Sequence, residues 1–191
     1  MYGENQVNTA NSHFYLGIGF SNLGQLQRAI IHHEKSLRIR LNVLGEYHLD
    51  TFSSYNHLGN SCAYFGQAEA ALHWHGKALQ ISFKLFGGDH KNTEVSYTSL
   101  GVAYTLLGMH ETAIAHYKQA LQIFIRIAGE DHPLASSSYS NLGGLYSSLG
   151  ENDRAIFNFE KAFHISVGFY GPDHPNTVNL SEAQARLTDT N

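Results

Sequence analysis

Glycine recurs along this chain at a fixed interval of 42 residues, and few folds are compatible with such a period. Three series run in parallel: Gly45, Gly87, Gly129 and Gly171; Gly17, Gly59, Gly101 and Gly143; Gly24, Gly66, Gly108 and Gly150. Periods of roughly 20 to 50 residues are typical of solenoids, propellers and other repeat arrays. The sequence therefore predicts four full repeats, at residues 3–44, 45–86, 87–128 and 129–170, followed by a partial fifth.

Within each repeat the apolar residues follow helical spacing and not the alternation of a strand. In the second repeat they are Tyr55, Leu58, Cys62 and Phe65, which lie on one face of an α-helix. This helix is expected to end at Gly66, where a left-handed cap residue is favoured. A second helical stripe begins a few residues later, so each repeat is predicted to be a helix–glycine turn–helix hairpin.

The third repeat resembles the tetratricopeptide repeat. The resemblance rests on Leu100-Gly101 with Tyr104, Gly108, Ala113, Tyr117 and Ala120. That repeat usually has about 34 residues and ends in proline, but here the apolar stripe continues, which predicts about two more turns of the second helix. With Gly-Glu-Asp-His-Pro at 129–133 and Gly-Pro-Asp-His-Pro at 171–175, the 42-residue form is similar to the repeats of kinesin light chains and nephrocystin-3-like proteins.

The resemblance implies an all-α fold, a right-handed α-α superhelical solenoid of hairpins that forms one domain over residues 1–191. Residues 175–188 are expected to form a C-terminal capping helix, the kind of polar end that a solenoid requires. The first linker, Gly3-Glu4-Asn5-Gln6, departs from the pattern of the later ones.

The linkers place aspartate beside histidine, a combination that also occurs in acid–base catalysis. A catalytic pair is needed once, whereas histidine returns in every linker, as His48, His90, His132 and His174. Proline suits the first position of a helix and keeps the preceding residue out of the helical region. We therefore interpret these histidines as helix N-caps and predict no catalytic residue.

Composition argues against several other functions. The net charge of -4 lacks the basic character of a nucleic-acid-binding protein, and no segment has the apolar length of a membrane span. The single cysteine, Cys62, fits a reducing compartment, and we expect a cytoplasmic protein. The chain has 13 histidines, but His33 and His75 occupy a column that holds Tyr117 and Phe159 in later repeats. We predict that they lie in the core, and we expect neither a metal site nor a cofactor.

The resemblance also implies where a ligand binds, because the first helix of each tetratricopeptide repeat lines a concave groove. The residues at the corresponding positions are mostly polar: Phe14, Tyr15, Ile18, Asn56, His57, Asn60, Thr98, Ser99, Val102, Ser140 and Asn141. Asparagine amides both donate and accept hydrogen bonds and suit a peptide backbone. Ten of the 12 Lys and Arg residues fall on second helices, which argues against a carboxylate clamp in the groove.

Two hypotheses follow for the function. The first is a non-enzymatic module that binds a peptide or partner protein in this groove, without nucleic acid or membrane. The alternative is a structural spacer or self-assembly module that stacks through an open edge of the first repeat. Phe14 and Ile18 are apolar where later repeats are mostly polar, which fits a partner, a missing repeat or self-association, and the sequence leaves these open.

Overall fold

The computed structural model of the chain describes residues 2–188, and the side chains of residues 6–187. Within this range the chain forms nine α-helices and no strand. They are α1 (Tyr2–Asn22), α2 (Leu26–Leu44), α3 (Leu49–Tyr64), α4 (Ala68–Phe86), α5 (Lys91–Leu106), α6 (His110–Ala128), α7 (Pro133–Ser148), α8 (Asn152–Tyr170) and α9 (Pro175–Thr188). No helix in the described part of the chain combines the length and apolar character needed to cross a bilayer.

The helices group into two compact units. The first contains α1–α4 together with Val102–Met109, and the second contains Asp89–Gly101 together with α6–α9. In the first unit α1 packs on α2, α2 on α3, and α3 on α4; in the second α6 packs on α7, α7 on α8, and α8 on α9. The predicted all-helical hairpin fold is confirmed. That residues 1–191 form one domain stays a prediction, and Met1 and residues 189–191 lie outside the described range.

Glycine ends both helices of each hairpin through backbone angles that other residues rarely adopt. Gly24, Gly66, Gly108 and Gly150 follow the first helices with φ values of +71°, +85°, +70° and +73°, as predicted. Each second helix spans 19 residues, which confirms the two additional turns. At Gly45 a φ of 84° and a ψ of 173° turn the chain into the linker, a region that is essentially restricted to glycine.

The first helix is longer than the sequence pattern suggested. Residues 3–6 stand where a linker was expected, yet α1 begins at Tyr2 and runs through them. The later linkers contain an extended histidine, which is followed in two of them by proline, and these features start a new helix at a fixed residue. Because Gly3-Glu4-Asn5-Gln6 contains neither, nothing in its sequence prevents the helix from starting earlier.

The linker histidines cap the helices that follow them. In all four linkers the Nδ1 atom accepts a hydrogen bond from the backbone N–H two residues on, over 3.1 Å for His48 and His90 and 3.2 Å for His132 and His174. Each bond satisfies one of the N–H groups that have no partner inside a helix. The structural interpretation of the repeated histidine is therefore confirmed.

Each hairpin is held together by a close approach between a glycine of its first helix and a ring of its second. A Cβ atom placed on Gly101 would lie 2.6 Å from the ring of Tyr117, and one on Gly143 would lie 2.9 Å from Phe159. In the first two repeats the ring is an imidazole, and a Cβ on Gly17 or Gly59 would lie 2.5 Å from it. Real Cβ contacts are not this short, so any side chain here must displace the ring or move the helices apart.

The imidazoles that fill these two positions, His33 and His75, are completely buried, as predicted. Both ring nitrogens of His33 and the Nδ1 atom of His75 are buried without a hydrogen-bond partner among the described residues. Burial lowers the pKa of each to about 4, and for His33 the nearby His57, His32 and Arg40 lower the pKa further. Both histidines are therefore neutral in the folded protein at physiological pH.

The core of the first unit surrounds the buried thiol of Cys62. Leu58, Tyr55 and Leu37 belong to the same cluster, and the indole of Trp74 packs against its edge. Burial, assisted by the charge of Glu34, raises the pKa of Cys62 to about 11. The thiol is thus protonated and unreactive, as expected for a small core residue.

We expect substitution of Gly101 by alanine to destabilise the protein by about 1–3 kcal/mol, because the new methyl group overlaps the Tyr117 ring and the core is overpacked. Gly144 provides a matched control, since it lies in the interior of α7 and a Cβ added there would meet no other atom within 4 Å. Gly144→Ala should stabilise the protein by about 0.5–1 kcal/mol through its higher helix propensity. Urea unfolding curves measure both values, and equal stabilities for the two variants would contradict the glycine–ring contact.

Acid is expected to destabilise the first unit. In the unfolded chain a histidine has a pKa near 6.5, so between pH 6.5 and 4 the unfolded state binds protons that buried His33 and His75 do not. The free energy of unfolding therefore has its full value above pH 6.5 and decreases as the pH is lowered. At pH 5 the decrease is roughly 2 kcal/mol for each histidine. The double variant His33→Phe/His75→Tyr, which uses rings found in the later repeats, should show a flatter dependence of the unfolding midpoint on pH. The exposed His164→Gln should retain the wild-type dependence; identical pH profiles for all three proteins would rule out this explanation.

Candidate peptide-binding surfaces

In the first unit some of the predicted ligand-binding residues of α1 and α3 make contacts with other residues of the protein. The ring of Phe14 meets that of His57 edge-on at a centroid distance of 4.8 Å, and His57 lies 5.5 Å from buried His33. Burial, with the charge of Arg40, lowers the pKa of His57. A hydrogen bond of 3.1 Å between Ser21 and Ser61 joins the two helices nearer their C-terminal ends. On this part of the surface the rings are therefore in contact with one another, and a hydrogen bond joins the two helices that carry them.

Arg40 of α2 is buried beneath this surface and contacts both α1 and α3. Only 4% of the residue is exposed, and its guanidinium donates hydrogen bonds to the Asn11 Oδ1, Asp50 carbonyl and Ser54 Oγ atoms, each over 2.8 or 2.9 Å. It also lies 4.3 Å over the Phe14 ring, a cation–π distance. Burial lowers the pKa of the guanidinium, an effect that the charge of Asp50 opposes. The side chain thus fixes α1 to α3 and places a positive charge beneath Phe14.

The other predicted residues of these two helices differ in accessibility. Tyr15 and Asn60 are exposed and Ile18 is half-buried, so these three can contact a ligand. Asn56 is only 7% exposed, and its Oδ1 atom is buried without a hydrogen-bond partner among the described residues. Of the two asparagines in α3, Asn60 is consequently the one that presents its amide to solvent.

The predicted residues of α5 are Thr98, Ser99 and Val102. Thr98 donates a hydrogen bond of 2.9 Å to the carboxylate of Glu94, one turn earlier in the helix. Burial raises the pKa of Glu94, and this hydrogen bond opposes the shift. Ser99 is half-buried and Val102 is exposed. The Thr98 hydroxyl is therefore already engaged inside the helix, which leaves Ser99 and Val102 as the members of this set that can meet a ligand.

In the second unit the predicted residues Ser140 and Asn141 line a cleft between α7 and α9. The cleft has a volume of about 320 Å³. Buried Phe159 and Leu180 provide apolar lining, while Ser137, Asn176 and Asn179 stand exposed around it. The side-chain amides of Asn141, Asn176 and Asn179 have no hydrogen-bond partner within residues 2–188. Three amides that bond to no other described side chain therefore lie beside the small apolar surface formed by Phe159 and Leu180.

Three polar contributors to these surfaces, Asn176, Asn179 and Arg40, were not identified from the sequence. Asn179 follows Ser137 by one repeat length, so extending the 42-residue register into the last helix would have placed it beside the predicted residues. Arg40 stands in a column otherwise occupied by Ser82, Phe124 and Ser166. An arginine in this otherwise uncharged column was the only indication in the sequence that residue 40 has a special role. The sequence does not show which atoms the guanidinium contacts.

The described side chains include no group of three or more His, Cys, Asp or Glu residues that could hold a metal ion. His13 and His32 do approach each other, with their Nδ1 atoms 3.0 Å apart. This distance fits a hydrogen bond in which one ring nitrogen donates to the other. Neighbouring Lys35 and Arg28 contribute to lowering the pKa of His32, after burial and His13 itself, and their charges would oppose a bound cation.

Solved structures with the same architecture come from several sources. A kinesin-light-chain-like protein of Podosopora anserina, with nearly identical TPR-like repeats, superposes with a TM-score of 0.80 at 22% identity over 94% of this chain and 85% of that chain. BtubC (BKLC) from P. vanneervenii superposes with a TM-score of 0.64 at 18% identity, over 100% of this chain and 88% of that chain. A Rap protein complexed with Competence and Sporulation Factor superposes with a TM-score of 0.75 at 16% identity, over 93% of this chain and 48% of that chain. At these identities the likeness shows a shared fold.

A comparison with curated protein sequences gave no match. The family model of the tetratricopeptide repeat, by contrast, matches three overlapping segments, at residues 8–82, 50–126 and 93–166. Repeats of this kind generally mediate protein–protein interaction, and such proteins are typically non-enzymatic scaffolds. Because these matches span most of the chain and the structure has the corresponding hairpins, the chain belongs to the tetratricopeptide repeat family.

Proposed function

We propose that this protein is a binding module that holds an extended peptide segment of a partner protein against its first helices. The observation that carries the proposal is the α7–α9 cleft, in which the amides of Asn141, Asn176 and Asn179 surround an apolar floor. We propose that α1 and α3 of the first unit form a separate candidate surface, with Tyr15 and Asn60 exposed on it. Binding requires no cofactor or metal, and a cytoplasmic location stays a prediction.

Asparagine amides suit a peptide because each offers both a donor and an acceptor. A backbone in extended form presents N–H and C=O groups in alternation, and one side-chain amide can bond to both groups of a single residue. Such contacts do not depend on the identity of the peptide's side chains. They provide affinity for the backbone and leave selectivity to the apolar groups in the cleft.

Phe159 and Leu180 provide the apolar part of the recognition. Both are largely buried, so a ligand side chain entering the cleft would reach the edge of the Phe159 ring and the Leu180 methyl groups. The lining contains no charged side chain. We therefore expect the ligand to place a small or medium apolar residue here, because an acidic or basic residue would lose its hydration without gaining an ion pair.

The Rap protein of similar fold supports the proposal in general terms, because it was solved as a complex with Competence and Sporulation Factor. That structure illustrates a ligand held by the same architecture. The ligand of the present chain is a separate question, since this chain spans about half the length of that protein.

A peptide library displayed on phage, selected against the purified protein, tests the proposal. The affinity of a selected peptide is then measured by titration calorimetry for wild type and for Asn141→Ala/Asn179→Ala. We expect the double variant to bind at least about tenfold more weakly, since two hydrogen bonds of about 1 kcal/mol each are removed. Both side chains lie at the protein surface, so the fold should be unaffected.

Gln119→Ala/Gln122→Ala is the matched control, because it removes two exposed amides from the second helix α6. This control should bind within about twofold of wild type, well below the tenfold change expected for the cleft variant. Equal affinities for the cleft variant and wild type would reject the cleft as the binding site. A library that yields no binding peptide would reject peptide capture itself.

A further inference from the structure

The last turn of the second helix differs among the later repeats. Helix α4 carries Lys84 and helix α6 carries Arg126 in this turn, whereas α8 has no basic residue there. The residue of α8 at the equivalent position is Gly168, which follows Arg126 by 42 residues. A Cβ atom added to Gly168 would meet nothing within 4 Å beyond its own stretch of helix. The surface of α8 is therefore open where the two earlier helices carry a cation.

In the second and third repeats this cation lies against the linker that opens the same repeat. The Nε atom of Arg126 donates a hydrogen bond of 2.7 Å to the carboxylate of Asp89. The Nζ atom of Lys84 lies 3.8 Å from the centroid of the Tyr47 ring. Tyr47 and Asp89 are equivalent residues of successive linkers, and each is 37 positions before its cation. Two copies of the repeat thus show a cation bound at the same place.

The fourth repeat has the anion of this pair without the cation. Asp131 is the equivalent of Asp89, and Gly168 stands 37 positions after it, where Arg126 would be required. Asp131 is exposed, and its carboxylate has no hydrogen-bond or ion-pair partner among the described residues. An acceptor that a guanidinium occupies in the third repeat is therefore free in the fourth.

A neighbouring ion pair indicates that linker and second helix keep the same relation in the fourth repeat. Lys161 of α8 lies 2.9 Å from the carboxylate of Glu130, and the equivalent Lys77 of α4 lies 3.6 Å from that of Glu46. The linker residue beside Asp131 thus meets α8 as its counterpart meets α4. The difference between the copies is the side chain at residue 168.

The open space is a cleft of about 480 Å³ between the linker and α8. Its lining consists of Glu130, Asp131, Lys161, His164, Ile165, Gly168 and Phe169. Phe169 is 64% exposed, whereas the equivalent residues of the earlier repeats are aliphatic, namely Val43, Leu85 and Ile127. The cleft therefore offers an aromatic ring together with a free carboxylate, and both groups attract a cation.

The charges of the lining match a single cation. Glu130 and Asp131 provide two negative charges and Lys161 one positive charge, so one negative charge is in excess. The ammonium of Lys161 is already bonded to Glu130. Gly168 also lies in the last turn of α8, and a cation is favoured near the C-terminal end of a helix.

We propose that this cleft binds an arginine side chain of a partner protein. The guanidinium takes the place that Arg126 has in the third repeat, donates hydrogen bonds to Asp131 and lies against the Phe169 ring. Arginine fits better than lysine because its planar group can do both at once, and because the equivalent aspartate is paired with an arginine. The cleft shares no residue with the α7–α9 cleft, so this inference goes beyond the proposed function.

A side chain of a protein fits the cleft better than free arginine does. The α-carboxylate of the free amino acid would need a cation of its own, and Lys161 is already bonded to Glu130. An exposed ion pair alone stabilises a complex only weakly. We therefore expect the arginine to be one contact of a larger interface, which it orients through the bidentate geometry of its guanidinium.

Titration of the ¹⁵N-labelled full chain with N-acetyl-arginine methylamide, followed by NMR at constant ionic strength, tests the proposal. The backbone amides of Asp131, Gly168 and Phe169 should shift and saturate with a dissociation constant of about 10 mM, as expected for a single side chain. N-acetyl-citrulline methylamide has nearly the same shape without the charge, and it should bind at least about fivefold more weakly.

Three variants connect the binding to the cleft. Asp131→Asn removes the free carboxylate and should raise the dissociation constant at least about fivefold. Gly168→Arg supplies the cation from the chain itself, as in α6, and should abolish the shifts. Asp173→Asn is the matched control, because it changes the equivalent aspartate of the last linker, which lies outside the cleft. This control should bind within about twofold of wild type. All three residues are exposed, so circular dichroism should show folded proteins.

Several results would overturn the proposal. One is the absence of saturable shifts at these amides up to about tenfold above the expected dissociation constant. Unchanged binding by Asp131→Asn or Gly168→Arg would exclude the cleft. Equal affinity for the citrulline probe or for N-acetyl-lysine methylamide would exclude recognition of a guanidinium, and tighter binding of free L-arginine would assign the cleft to the amino acid. Peptide capture in the α7–α9 cleft is measured with other variants, so either proposal can fail without the other.

Discussion

The contact between a helix glycine and an aromatic or imidazole ring sets the distance between the two helices of every hairpin. At Gly17, Gly59, Gly101 and Gly143 the ring lies where a Cβ atom would be, so the backbones approach more closely than side chains normally permit. The leucine and alanine columns can interlock only at this separation. The ring itself is replaceable, because Tyr117, Phe159 and two histidines all fill the space. The contact therefore requires a planar ring of suitable size and no particular chemical group. The imidazoles can be protonated, so the two hairpins that contain them are sensitive to pH in a way that the others are not.

The features that could be predicted from the sequence are those encoded over short distances. Glycine at a fixed interval marks the helix ends, and the apolar spacing indicates the helices, because both depend on backbone conformation and on periodicity within one segment. The early start of α1 was missed since no residue marks it. The burial of Asn56 and the reach of the Arg40 guanidinium could not be predicted, because they depend on which side chains of neighbouring helices surround them. A column of aligned residues gives position along a helix but not depth below the surface.

The two units offer different surfaces on helices that occupy equivalent places in the repeat. In the first unit the rings of Phe14, His57 and His33 contact one another, and the buried guanidinium of Arg40 lies over the Phe14 ring. In the second, asparagine amides around the α7–α9 cleft remain available. The same scaffold thus combines an aromatic region with a region of accessible asparagine amides. Substitutions at a few columns suffice for this difference, since the glycine–ring contacts maintain the backbone in both.

Cys62 and Trp74 are the only cysteine and the only tryptophan of the chain. Cys62 belongs to the core cluster of the first unit, and the indole of Trp74 packs against that cluster. A thiol reagent cannot reach the buried sulfur while this core is closed, and the indole fluorescence arises from the same place. The native protein therefore carries two intrinsic probes of local opening, which report on one unit alone without any engineered label. Rates of thiol labelling, compared with the loss of helical circular dichroism, would reveal whether the first unit opens before the rest of the chain or together with it.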